Sequence, residues 1–134
     1  MRIVVDTGVF SAALSRRRRS QFETHVEGLA GNQLFLASAT VAELRFGALV
    51  AEWGSSRRRR LEEAIATTTV VPVSDALLTR LAELRYACRQ AGHPLADPAH
   101  TNDLWIAASA IRIDARLVSA DTIFGDVPGL FVLH

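Results

Sequence analysis

Four carboxylates stand where a fold could gather them. Asp6 follows the apolar run Ile3-Val4-Val5, and Asp121 lies just beyond Leu117-Val118-Ser119-Ala120. If both runs are strands of an open parallel sheet, both aspartates reach its carboxyl rim, where ligand sites collect. Asp103 falls in the first turn of a helix predicted to begin near Thr101, where the positive end of the helix dipole favours an anion. Glu43 sits between Val41 and Leu44, on the edge of an apolar stripe. Taken singly, each acid reads as a turn former or a helix cap. Taken together they repel, because two carboxylates about 5 Å apart cost roughly 3 kcal/mol at an effective dielectric near 20, so four on one rim require a cation. Oxygen ligands without Cys or His match Mg²⁺ or Mn²⁺ better than zinc or copper. Such an ion can activate water and neutralise charge on a phosphodiester, which is nuclease chemistry that needs no nucleophilic side chain.

The elements that must position these acids are legible as alternating patterns. Ile3-Val4-Val5 has no polar alternation, as expected of a strand covered on both faces. Similar runs are Leu34-Phe35-Leu36, Val70-Val71-Pro72-Val73 and Arg116-Leu117-Val118-Ser119, with Leu130-Phe131-Val132-Leu133 as a fifth. Pro72 predicts an edge or a bulge for the third. Helical spacing runs from Thr40 to Ala51 and from Ser74 to Ala91, the second opening on a Ser74 cap and stopped by Gly92 and Pro94. The stretch from Gly92 to His100 reads as a loop, and the helix after it buries Leu104, Ala107, Ala108 and Ile111. Strands alternating with helices predict an α/β fold: a helix-sheet-helix sandwich on a central, mainly parallel sheet of four to five strands.

Composition narrows the chemistry. The 134 residues are 49% hydrophobic with one cysteine, which predicts a single domain over residues 1–134 with no disulfide framework. No apolar run approaches the roughly 20 residues that cross a bilayer, and Asp6 interrupts any secretory apolar segment, so a cytoplasmic location away from membranes is expected. All 15 basic residues are arginine. The absence of lysine excludes a Walker A loop and a Schiff-base enzyme, and no G-x-G-x-x-G supports a dinucleotide site. The four histidines are scattered, which makes zinc a poor expectation.

The net charge is only +1, yet arginines cluster at Arg16, Arg17, Arg18 and Arg19 and again at Arg57, Arg58, Arg59 and Arg60. Repulsion within each block makes it poor helix material without an anionic partner. Guanidinium forks suit phosphate, so at least one block is expected to contact RNA or an acidic protein. Trp105 is expected to pack against the sheet, and Trp53 to lie at a helix end where a partner subunit would cover it. Gly47 is expected to permit close backbone approach or to leave room beside Glu43.

Four ordered strings carry a family likeness across nearly the whole chain: Ile3-Val4-Val5-Asp6-Thr7, Val41-Ala42-Glu43-Leu44-Arg45-Phe46-Gly47, Asn102-Asp103-Leu104-Trp105-Ile106-Ala107-Ala108 and Leu117-Val118-Ser119-Ala120-Asp121. Together they resemble the PIN-domain ribonucleases, in particular the VapC-type toxins of bacterial toxin-antitoxin pairs. The resemblance implies a Mg²⁺- or Mn²⁺-dependent endoribonuclease that leaves a 5′-phosphate and a 3′-hydroxyl, is neutralised by a VapB-type antitoxin, and forms a homodimer. It implies that Asp6, Glu43, Asp103 and Asp121 are the catalytic quartet, with Asp6, Asp103 and Asp121 at the metal and Thr7, Asn102 and Ser119 as polar supports. The sequence departs from many relatives after the last aspartate, where Ile123 holds the place of a further acid and Asp126 comes later. Two other functions fit the same residues: a nuclease acting on DNA or structured RNA outside any toxin pair, and a non-catalytic module binding RNA or protein.

Overall fold

In the computed structural model, residues 1–15 and 31–133 are described, and the block Arg16 to Arg19 lies outside them. The chain starts with strand β1 (Arg2–Val5) and helix α1 (Thr7–Leu14). Strand β2 (Gln33–Ala37) leads into α2 (Ser38–Val50) and α3 (Ser55–Ala66), and β3 (Thr69–Val71) into α4 (Asp75–Gln90). Two 3₁₀ turns then precede α5 (Thr101–Arg112), β4 (Arg116–Val118) and β5 (Val132–Leu133). The sheet has five strands in the order β3-β2-β1-β4-β5, and every pairing is parallel rather than mostly so.

Side-chain alternation along the strands divides the core. Ile3 and Val5 of β1, Leu36 of β2 and Val118 of β4 face α1, α2 and α3, burying Phe10, Leu44, Leu61 and Ile65 against them. Val4, Phe35 and Leu117 face the other way, onto Leu77, Leu84, Leu104 and Ala108 of α4 and α5. Both faces of the sheet are therefore covered, which is why its strands read as unbroken apolar runs. Pro72 has the expected meaning: β3 is an edge strand and ends at Val71, one residue before the missing N–H. The Ser74 hydroxyl accepts from Leu77 N at 3.1 Å, and Gly92 takes φ +68° just beyond α4, so both helix boundaries follow the sequence signals. Among the described residues, no helix is long and apolar enough to cross a membrane.

Two expectations need correction. Arg57, Arg58, Arg59 and Arg60 lie inside α3, all exposed, although their mutual repulsion argued against a helix. Burial of Leu61 and Ile65, one turn apart, holds the helix to the sheet. Solvent screens the arginines opposite. Arg57 also lies over the Trp53 ring, 4.1 Å from its centroid, and that cation-π contact helps anchor the start of the helix. Gly47 is exposed with nothing within 4 Å of the position a Cβ would take, so it permits no close approach.

Candidate functional site

The site begins with a register. Val5 of β1 pairs with Val118 of β4, which sets the next residues, Asp6 and Ser119, side by side at the carboxyl rim. The Asp6 amide donates to Val118 O at 3.0 Å, extending the ladder by one bond. β1 is also where the connections part, with β2 and β3 on one side and β4 and β5 on the other. Asp6 thus stands at the topological switch point of an open parallel sheet, the usual location of a ligand crevice.

Both Asp6 oxygens are held. The Ser119 hydroxyl donates to Oδ2 at 2.7 Å, and Thr7 N donates to Oδ1 at 2.8 Å as α1 begins. Ser119 is fully buried and Asp6 is 8% exposed. The same serine oxygen accepts from Asp121 N at 3.0 Å, so one side chain fixes the chain path of two of the four acids. Asp121 itself is exposed, and its Oδ1 accepts from Ile123 N at 3.0 Å in a capping turn.

Glu43 projects from the second turn of α2 toward α1. Its Oε1 lies 3.1 Å from the Thr7 hydroxyl, which also lies 3.0 Å from the hydroxyl of Thr40. Asp103 sits half-buried in the first turn of α5, with its Oδ2 3.4 Å from His100 Nδ1. Asn102 is exposed beside it.

The electrostatics join these groups. The Asp6 carboxyl is pushed above its usual range chiefly by burial; bonds from Ser119 and Thr7 oppose the rise, and the charges of Asp103 and Asp121 add to it. Burial likewise raises Glu43, with the Thr7 bond opposing and the charges of Asp103 and Asp6 adding. Asp103 is raised by burial first, its bond to His100 pulling down and Asp121 pushing up. Repulsion among neighbours is the cause that the sequence suggests, and desolvation turns out to be the larger one. Among the described residues, no three His, Cys, Asp or Glu side chains close into a ready ligand cage.

The structure therefore brings Asp6, Glu43, Asp103, Asp121, Thr7 and Ser119 to one rim. Two participants were not singled out from the sequence. Thr40 looks like a filler within an apolar helix. His100 looks like one of several scattered histidines, although its spacing of three from Asp103 was a usable signal. Trp105 packs against the core as expected.

Known proteins resemble this chain in sequence and fold. The PIN domain model matches residues 3–130. Ribonuclease VapC5 of Mycobacterium tuberculosis is 32% identical over 128 residues, covering 94% of this chain and 87% of its own. The fold superposes on VapBC2 from Rickettsia felis, solved bound to a DNA fragment from their promoter, with a TM-score of 0.82, 24% identity and coverage of 98% and 97% of the two chains. FitAcB from Neisseria gonorrhoeae gives 0.77 at 22% identity, covering 98% and 96%. Since the match runs from the first strand past Asp121 and the likeness in fold extends over nearly the whole chain, this protein belongs to the PIN domain family.

Proposed function

We propose that the chain is an endoribonuclease that hydrolyses RNA phosphodiesters with Mg²⁺ or Mn²⁺, acts as the toxin of a type II toxin-antitoxin pair, and is silenced by a VapB-type protein antitoxin. The observation that carries this reading is the meeting of Asp6, Glu43, Asp103 and Asp121, from four separate stretches of chain, within reach of one another's charge on one sheet rim. Family membership and the likeness to a protein named a ribonuclease support the substrate. The likeness to VapBC complexes supports the partner.

The donor set fits a hard divalent cation: it is all oxygen, and three of its acids hold their protons more tightly than usual, chiefly because they are buried and in smaller part because neighbouring acids repel them. Asp6, Asp103 and Asp121 would hold the ion. An open arrangement suits Mg²⁺, which keeps several waters and takes one or two carboxylates directly. When bound, the ion supplies a water of lowered pKa and neutralises charge on the phosphodiester. The protein's own share is positional. Each Asp6 oxygen accepts one bond and retains capacity for another, so Ser119 and Thr7 fix the carboxylate without exhausting it. With Oε1 tied to Thr7, Glu43 keeps Oε2 to take a proton from an attacking water.

The test is cleavage of single-stranded RNA by the purified chain in Mg²⁺ and in EDTA. Asp6→Asn should retain the fold by circular dichroism and lose about 100-fold or more in rate, since loss of even an outer partner of a metal site costs 10- to 100-fold. Wild-type cleavage by that variant, or cleavage of DNA in preference to RNA, refutes the reading. Co-purified antitoxin should abolish the activity.

A further inference from the structure

We propose that Thr40, which the family likeness as read from the sequence does not include, is a positioning residue that selects the orientation of the Thr7 hydroxyl and through it holds Glu43. The inference rests on the reading of Glu43 as a working carboxylate.

The geometry arises from the sheet. β1 and β2 are parallel neighbours, so the helices leaving their carboxyl ends start side by side, and the first turn of α1 faces the first turn of α2. Thr7 opens α1, and Thr40 is the third residue of α2. Their hydroxyl oxygens lie 3.0 Å apart, and Thr40 is 0% exposed. Water does not reach it, and among the described residues its side-chain partner is Thr7.

Proton counting then gives the bond a direction. The Thr7 hydroxyl has one proton and two close neighbours, Thr40 at 3.0 Å and Glu43 at 3.1 Å. An ionised carboxylate can only accept. If Thr7 donated to Thr40, a lone pair of Thr7 would face the Glu43 carboxylate. If Thr40 donates to Thr7, the Thr7 proton is committed to Glu43, and the two bonds polarise each other in the same sense. The buried Thr40 hydroxyl thus converts an ambiguous rotor into a fixed donor. Thr7 in turn binds Asp6 through its backbone N–H and Glu43 through its side chain, so one ordered residue spaces the two acids.

The experiment compares cleavage kinetics of a single-stranded RNA in Mg²⁺ for the full chain and for Thr40→Val, Thr40→Ser, Thr40→Ala, Thr7→Val, Thr7→Val/Thr40→Val and Glu43→Gln, with thermal melting of each. Thr40→Val keeps the shape and deletes the hydroxyl; kcat should fall roughly three- to tenfold, the scale of one neutral hydrogen bond, with KM within about twofold. Thr40→Ser should restore kcat. The double variant should be no slower than Thr7→Val alone, because both changes cut the same relay. If Thr40→Val fails to fold, the Ser and Ala variants, which differ by a single oxygen, read the same contrast. Full kcat in Thr40→Val or Thr40→Ala, no restoration by Ser, or losses that multiply in the double variant overturns the role of Thr40. A Glu43→Gln variant with wild-type rate instead overturns the reading of Glu43, and the proposal with it.

Discussion

Removing the Ser119 hydroxyl should expose how much the fold invests in keeping Asp6 ionised. In Ser119→Ala the 2.7 Å bond to Asp6 Oδ2 is lost, between a fully buried donor and a carboxylate that is 8% exposed. A hydrogen bond to a charged group is worth about 1.5–3 kcal/mol, against about 1 kcal/mol for a neutral one. The Asp121 amide also loses its acceptor, but that residue is exposed and water replaces the bond at small cost. For a domain of this length each kcal/mol moves Tm by about 4 °C, so the variant should melt about 6–12 °C lower above neutral pH. The pH dependence supplies the sharper test. Ser119 favours the ionised form and pulls against the burial that raises the Asp6 pKa. Its stabilisation is therefore full above the folded pKa of Asp6, which lies above the ordinary 3.8, and shrinks toward the neutral value as pH falls through it. Urea unfolding of metal-free wild type and variant from pH 8 to pH 4, with unchanged m-values, measures this difference. A penalty that is constant across that range, or absent at pH 8, refutes the charge-assisted bond.

Other expectations follow from the same geometry. Asp6, Glu43 and Asp103 all have raised pKa values, so the folded state binds their protons more tightly; the stability they contribute is full below the unfolded values, 3.8 for the aspartates and 4.5 for the glutamate, and is lost as pH rises through the folded ones. Calorimetry in EDTA should show this loss, with Asp6→Asn flattening it; a metal-free Tm whose pH dependence is the same in that variant would contradict it. Mg²⁺ or Mn²⁺ should reverse the loss by mass action, by about 2.7 kcal/mol at 100-fold over Kd, and an unmoved Tm at neutral pH in millimolar ion would count against the site. Arg45→Ala breaks the two-bond fork to Glu62 between α2 and α3, but both side chains are about half exposed, so chemical denaturation should show a cost under about 1 kcal/mol that fades at high salt.

Much of this architecture can be read from the chain because the strands are buried on both sides. Ile3-Val4-Val5 announces itself as a strand, and Asp6 is visible as the first residue past its end. α1 escapes notice for the same reason: Val9, Phe10, Ala12, Ala13 and Leu14 are so uniformly apolar that no helical stripe stands out against the strand before them. α3 is missed because local repulsion among arginines is visible in sequence, whereas the burial of Leu61 and Ile65 that outweighs it is a tertiary effect. Among the site residues, the acids are marked by charge in apolar surroundings. Thr40 carries no such mark, since its role exists only once two first turns from neighbouring strands meet.

The pairing of Asp6 with Ser119 links positions 113 residues apart. A ribosome emitting this polypeptide has long since released the aspartate when the serine appears, and every strand partner is joined through a crossover rather than a hairpin. The centre thus comes into being only after the chain has been made as far as Ser119 and that serine has met Asp6. A fragment released before Ser119 would carry Asp6 without the residue that secures it, so its rim would lack the order on which the site depends.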